Sequence, residues 1–200
     1  MKIGIDISQI VYGTGVSKYT KNLVSALLKI DKSNDYNLFG GTLRRKSDLY
    51  KLHKQFPGNS ALKTFPLSPL MADFLWNKLH LFPVENIVGN VDVFHSSDWT
   101  QPPTRQAKRV TTIHDLVPIL YPKESHSEIV SAHKKRLEWV KREVDTVIAV
   151  SESTKNDIIS DLGISEDKIS VVYEAPDISV KKMGKEKIEE VRRKYNLPSE

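Results

Sequence analysis

Val110-Thr111-Thr112-Ile113-His114-Asp115-Leu116-Val117-Pro118 is the stretch on which the reading of the fold turns. Its β-branched run suits a pleated, buried strand. Pro118, with a fixed φ and no amide proton, cannot continue one. A titratable pair, His114-Asp115, therefore stands where a strand gives way to a loop. Ligands of open parallel sheets bind beyond the carboxyl ends of the strands, which makes His114 the first candidate for a functional residue. Asp115 has an ordinary role available as well, capping the turn.

The chain on either side of this stretch alternates between strands and helices. Lys2–Ile7 reads as a strand buried on both faces. Tyr12-Gly13-Thr14-Gly15 follows, then a helix over Val16–Ile30 whose apolar residues recur at three and four positions. Tyr36–Phe39, Leu62–Pro66, Asp92–His95, Asp145–Val150 and Ile169–Tyr173 read as further strands. Helices are expected over Ser47–Gln55, Leu70–Leu81, Glu128–Val144, a segment capped by Ser151 and ended by Gly163, and Lys185–Tyr195. Trp76 falls in the second of these, where core packing is the ordinary use of an indole. The pattern predicts an α/β fold: a doubly wound, mainly parallel Rossmann-like sheet with helices on both faces.

Composition bounds the function. Two hundred residues, 39% hydrophobic and 28% charged, make one soluble globular domain with ample chain for a core. The absence of cysteine removes disulfide and thiolate-metal chemistry. No apolar run approaches the roughly 18 residues of a membrane span, and Asp6 interrupts the short apolar N-terminus, so no signal peptide is expected and the protein is read as cytoplasmic. The net charge of +5 comes from the first half, around Arg44-Arg45-Lys46 and Lys51–Lys54. Its ordinary reading is a solvated helix face. Without interleaved aromatics it makes no case for nucleic acid, although with the Leu70–Phe82 segment it is compatible with contact at the inner face of a membrane.

Gly13-Thr14-Gly15 precedes a helix N-terminus, which favours anions, but Lys18 stands where a dinucleotide fingerprint needs its third glycine. A tight turn accounts for the same residues equally well. His95 and Asp98 end a second strand much as His114 and Asp115 end theirs, with a weaker signal. No His/carboxylate spacing suggests a metal, and Ser151 is sufficiently explained as an N-cap. The residues alone reach a cleft lined by Gly13–Gly15, Asp98, His114 and Ser151, and no reaction. A stand-alone α/β module binding a sugar or anionic ligand without catalysis remains open at this point.

Seven segments in order carry a resemblance. They are Gly4-Ile5-Asp6; Gly15-Val16-Ser17-Lys18-Tyr19; Trp76 with Leu79 and Pro83; Asp92-Val93-Phe94-His95; Thr112–Leu116 with Pro118 and Pro122; Val150–Lys155; and Val172-Tyr173-Glu174-Ala175-Pro176-Asp177. Over nearly the whole chain they resemble the N-terminal half of a family 4 retaining glycosyltransferase of the glycosyl transferases group 1 superfamily. The resemblance implies one half of a two-domain GT-B architecture. Residues 1–177 would be the acceptor-side domain, and 178–200 the linker and lead-in helix to a donor-binding domain absent from this sequence, so the isolated chain is expected to be inactive. It further implies a nucleotide-sugar as co-substrate, a glycan, lipid-linked or small-molecule acceptor, no cofactor and no metal. His114 would be the catalytic residue, positioning the donor sugar and stabilising charge. Gly13, Thr14 and Gly15 would form the loop near donor phosphates and acceptor. Lys18, Tyr19, Asp98, Asp115 and Ser151 would line the acceptor side, and Glu174, Pro176 and Asp177 the hinge. Oligomeric state is left open.

Overall fold

The computed structural model describes residues 1–175 and 183–198. Seven strands form one sheet: β1 (Lys2–Asp6), β2 (Asp35–Gly41), β3 (Ser60–Phe65), β4 (Val93–Ser96), β5 (Lys108–Ile113), β6 (Thr146–Ala149) and β7 (Ile169–Val171). Their order is β3-β2-β1-β4-β5-β6-β7, and every neighbouring pair is parallel. Parallel pairing demands crossovers, which helices supply everywhere except between β4 and β5, where residues 97–107 cross as a loop: α1 (Gly15–Ile30), α2 (Lys46–His53), α3 (Pro69–Ala72), α4 (Glu85–Val88), α5 (Val117–Leu120), α6 (Ser127–Glu143) and α7 (Glu152–Asp157). A further helix, α8 (Lys185–Tyr195), buries none of its residues. This is the doubly wound, Rossmann-like α/β sheet.

Adjacent residues of one strand show that both faces are covered, because successive side chains point to opposite sides. Leu38 packs with Val24, Leu28 and Leu49 of α1 and α2. Its neighbour Phe39 packs with Ala72, Trp76 and Val88 of the α3–α4 side. A third cluster joins Ile113, Leu137, Val140, Val147 and Ile158 around β5, β6, α6 and α7. The two threonines of β5 divide in the same way. Thr111 receives a hydrogen bond from Arg136 of α6, and Thr112 meets Tyr19 of α1.

Two expected helices differ, the one capped by Ser151 because α7 passes into a π-helical segment, Ile158–Leu162. Over Leu70–Leu81 the chain forms α3 and then runs straight into a π-helical segment, Asp73–Lys78. A 3.6-residue period cannot locate a stretch bonded i to i+5. The buried side is Ala72 and Trp76, while Leu70, Phe74 and Leu79 are exposed. Of the expected hinge, Glu174 is described; Pro176 and Asp177 lie outside the described residues, as do 178–182 of the expected linker.

Candidate functional site

The strand order reverses between β1 and β4, so the chains leaving these two strands part in opposite directions and open a crevice at their carboxyl ends. A cavity of about 410 Å³ fills it. One wall is apolar, built from Phe39, Leu67, Ala72 and Trp76 of the β2, β3 and α3 side. Asp6, Ser8, Gln9, Ser97, Asp98 and His133 add a few polar atoms to this largely apolar lining, which Tyr12, Thr14 and Trp99 complete.

Asp6 ends β1 and is only 3% exposed. Its carboxylate accepts from the Ser8 amide at 2.8 Å and from the Ser8 hydroxyl. Burial pushes its pKa up, opposed by the hydrogen bonds from Ser8 and Ser97. Gln9 donates to the Thr20 hydroxyl at 3.0 Å, and its Oε1 is buried without a partner among the described residues. Asp98 is held from beneath by Arg136, whose guanidinium lies 3.6 Å away. That guanidinium is 1% exposed and also donates to Thr111 Oγ1 at 2.6 Å and to the Thr112 carbonyl at 3.3 Å. His133 lies edge-on to Trp99, and burial holds its pKa below the ordinary value.

Asp6, Gln9 and Asp98 also border a second, nearly filled crevice with Tyr19, His95, Thr112 and His114. The Thr112 hydroxyl is its hub, 3.1 Å from the Tyr19 hydroxyl and 3.0 Å from His95 Nε2. His95 is pushed down to about 4, chiefly by burial and further by the charges of Arg136 and His114. His114 stands edge-on to Tyr19, with ring centroids 4.7 Å apart. Its Nδ1 is 2.8 Å from Glu174 Oε1, and its carbonyl accepts from Thr154 Oγ1 at 3.2 Å. A carboxylate at Nδ1 fixes the ring's orientation and leaves Nε2 as its outward pole; among the described residues no group bonds that nitrogen.

The other expected site residues divide into those brought to this region and those occupied elsewhere. Gly13 takes φ +73 and Gly15 opens α1, and at either a Cβ would meet nothing within 4 Å, so neither glycine is packed against a neighbour. Thr14 lines the cavity and also caps α1, exchanging hydrogen bonds with Ser17 at 3.2 Å. Lys18 is exposed. Asp115 is exposed and accepts from the Val117 amide at 2.9 Å, lining neither crevice. Ser151 caps α7 through the Thr154 amide at 3.0 Å. Neither Asp115 nor Ser151 lines either crevice.

Four participants escape a reading of the sequence: Asp6, Gln9, His133 and Arg136. An acidic residue closing an otherwise apolar strand was a visible signal for Asp6. Arg136 carries none, since in Lys134-Lys135-Arg136 nothing separates the buried cation from its solvated neighbours. Among the described residues, no three histidine or acidic side chains stand together as a metal site, and no helix is long and apolar enough to cross a membrane.

With this geometry in hand, the chain can be set beside known proteins. It is similar to the crystal structure of a glycosyltransferase from Rickettsia africae ESF-5, at 20% identity and a TM-score of 0.45, over 99% of this chain and 50% of that one. The chain thus spans about half the length of that protein. No curated protein sequence matches it. The family model described as Glycosyltransferase Family 4 matches residues 13–180, from the Gly13 turn past His114 to beyond Glu174. The chain belongs to glycosyltransferase family 4.

Proposed function

We propose that this domain is the acceptor-side half of an enzyme that transfers a sugar from a nucleotide-sugar to an acceptor hydroxyl with retention, the donor being held by a second domain. The observation that carries the reading is the shared wall: Asp6, Gln9 and Asp98 border the cavity on one side and the corner of His114 on the other. An acceptor seated in the cavity presents a hydroxyl to that wall, where carboxylate and amide oxygens accept a hydrogen bond from it. A donor sugar delivered from the open side meets His114.

In this reading the bond from acceptor oxygen to anomeric carbon forms as the bond to the leaving phosphate breaks, on the same face of the sugar. The acceptor proton departs with the nucleoside diphosphate. His114, oriented by Glu174, bonds a sugar hydroxyl and stabilises the charge that develops, a contribution of placement and preorganised electrostatics. Family membership supports transfer chemistry, and the cavity supports acceptor binding.

Isothermal titration of the 200-residue chain with nucleotide-sugars tests the division of labour. The expected outcome is no tight, sugar-dependent binding and no turnover. Tight sugar-dependent binding, or transfer catalysed by this chain alone, refutes the two-domain reading.

A further inference from the structure

Two side chains hold the ring of His114, and they come from opposite ends of the chain. Tyr19 stands edge-on to it, with ring centroids 4.7 Å apart and its own hydroxyl 3.1 Å from that of Thr112. This contact sets the plane of the imidazole. It does not choose which nitrogen carries the proton. Glu174 makes that choice: its Oε1 lies 2.8 Å from Nδ1, and a carboxylate in that place accepts a hydrogen bond from Nδ1–H.

The place of Glu174 in the chain gives the bond a second meaning. The backbone leaves the sheet just before it. The Val172 amide still donates to the Ala149 carbonyl at 2.9 Å, and among the described residues no backbone hydrogen bond holds Tyr173, Glu174 or Ala175. Tyr173 is 69% exposed, and the Glu174 side chain is 44% exposed against 17% for that of His114. Among the described residues, the carboxylate on His114 is the only polar contact that ties residues 173–175 to the domain. A half-exposed contact of this kind is weakly held, so a small displacement of the connection breaks it.

We propose that Glu174 is a positioning residue that couples the chain leaving β7 to the tautomer of His114. With the connection seated, Nδ1 keeps the proton and Nε2 turns a lone pair outward. His114 then accepts a hydrogen bond from a hydroxyl of the donor sugar. With the connection displaced, the ring is free to carry its proton on Nε2, and the direction of that hydrogen bond reverses. The proposal rests on the transferase reading and names what sets the histidine of that site. It makes the histidine ready only while the chain running towards the donor-holding domain is in place, a preorganisation supplied from outside the reacting groups.

The 200-residue chain, labelled with 15N at histidine, tests it at about pH 8.5. Two-bond proton–nitrogen correlations report which ring nitrogen is protonated, and His114→Gln identifies the signal. His114 is expected to show a protonated Nδ1 and a bare Nε2. Glu174→Ala should convert it to an exchange-averaged mixture of tautomers. Glu174→Asp, which keeps the charge but draws it back by one methylene, should do the same. Glu174→Gln, whose amide oxygen still accepts from Nδ1–H, should keep the wild-type form. Melting temperatures should stay within about 2 °C throughout, because changes to an exposed side chain cost little, which separates positioning from a structural role. A wild-type His114 protonated on Nε2, the wild-type form in Glu174→Ala, or a mixture in Glu174→Gln overturns the proposal. The wild-type form in Glu174→Asp overturns the dependence on where the connection stands. Transfer is judged separately: if the tautomer ignores Glu174 while phenyl β-glucoside still shifts the Trp76 and Trp99 indole signals, the acceptor half-site stands and this proposal falls.

Discussion

Replacing Asp98 by asparagine should cost more than removing the arginine it pairs with. Arg136 is 1% exposed and among the described residues has as acceptors only Asp98, Thr111 Oγ1 and the Thr112 carbonyl. Asp98→Asn leaves that guanidinium buried without a counter-charge, a change that costs about 3–5 kcal/mol where both partners are deep. The contact here is 3.6 Å and the Asp98 side chain is 23% exposed, so water screens part of it and about 3 kcal/mol is expected. For a domain of this size that lowers Tm by about 6–12 °C. Arg136→Met removes the buried charge itself and leaves a carboxylate that solvent can reach, costing about 1–2 kcal/mol for the lost hydrogen bonds. The double variant should resemble Arg136→Met alone, giving a coupling of about 3 kcal/mol, the whole cost of Asp98→Asn. Urea unfolding followed by circular dichroism on the four proteins measures it. Additivity within about 0.5 kcal/mol, or an Asp98→Asn cost below about 1 kcal/mol, refutes the claim that the pair holds the wall between cavity and His114.

The remaining expectations concern the turn and pH. Gly13 adopts φ +73 with open space around its Cβ position, so Gly13→Ala should cost about 1 kcal/mol from backbone strain and Gly13→Asn less than half of that, since asparagine tolerates the left-handed region; equal losses on thermal melting contradict a purely conformational role. His95 is pushed from 6.5 down to about 4 in the fold, so the unfolded chain takes up a proton first as pH falls. Its stabilising contribution is complete above pH 6.5 and is lost as pH falls towards 4. Unfolding free energy should therefore drop by about 2 kcal/mol between pH 8 and pH 5, with His133 acting in the same direction. His95→Gln should flatten the profile, and an unchanged profile contradicts the assignment.

The fold was readable because each β-strand announces itself locally. The β5 run of β-branched residues ends at Ile113 as the Pro-terminated loop requires, and the 3.6-residue spacing over α1 lies where the helix forms. The π segments after α3 and α7 were not readable, because their hydrogen-bond period leaves no mark in a pattern counted at 3.6. The site was half readable. His114 was visible from its strand end, but its partner Glu174 is sixty residues away and reads locally as part of a connection. Asp98 was visible, while the arginine that supports it lay hidden in a run of surface-like cations. The cavity arises where β1 and β4 part company, a property of strand order that no local window contains.

The most direct test of the half-site is where an acceptor-like molecule binds. The protein has three tryptophans: Trp76 and Trp99 line the cavity, while Trp139 lies outside it with its indole donating to the Asn77 carbonyl at 2.8 Å. In a titration of the 15N-labelled chain with octyl glucoside below its micelle concentration, the Trp76 and Trp99 indole signals, the Gln9 side-chain amide and the Gly13 amide should shift together, with Trp139 unmoved. Shifts confined to other surfaces, or the same set of shifts produced by a nucleotide-sugar, would contradict an acceptor site at this cavity.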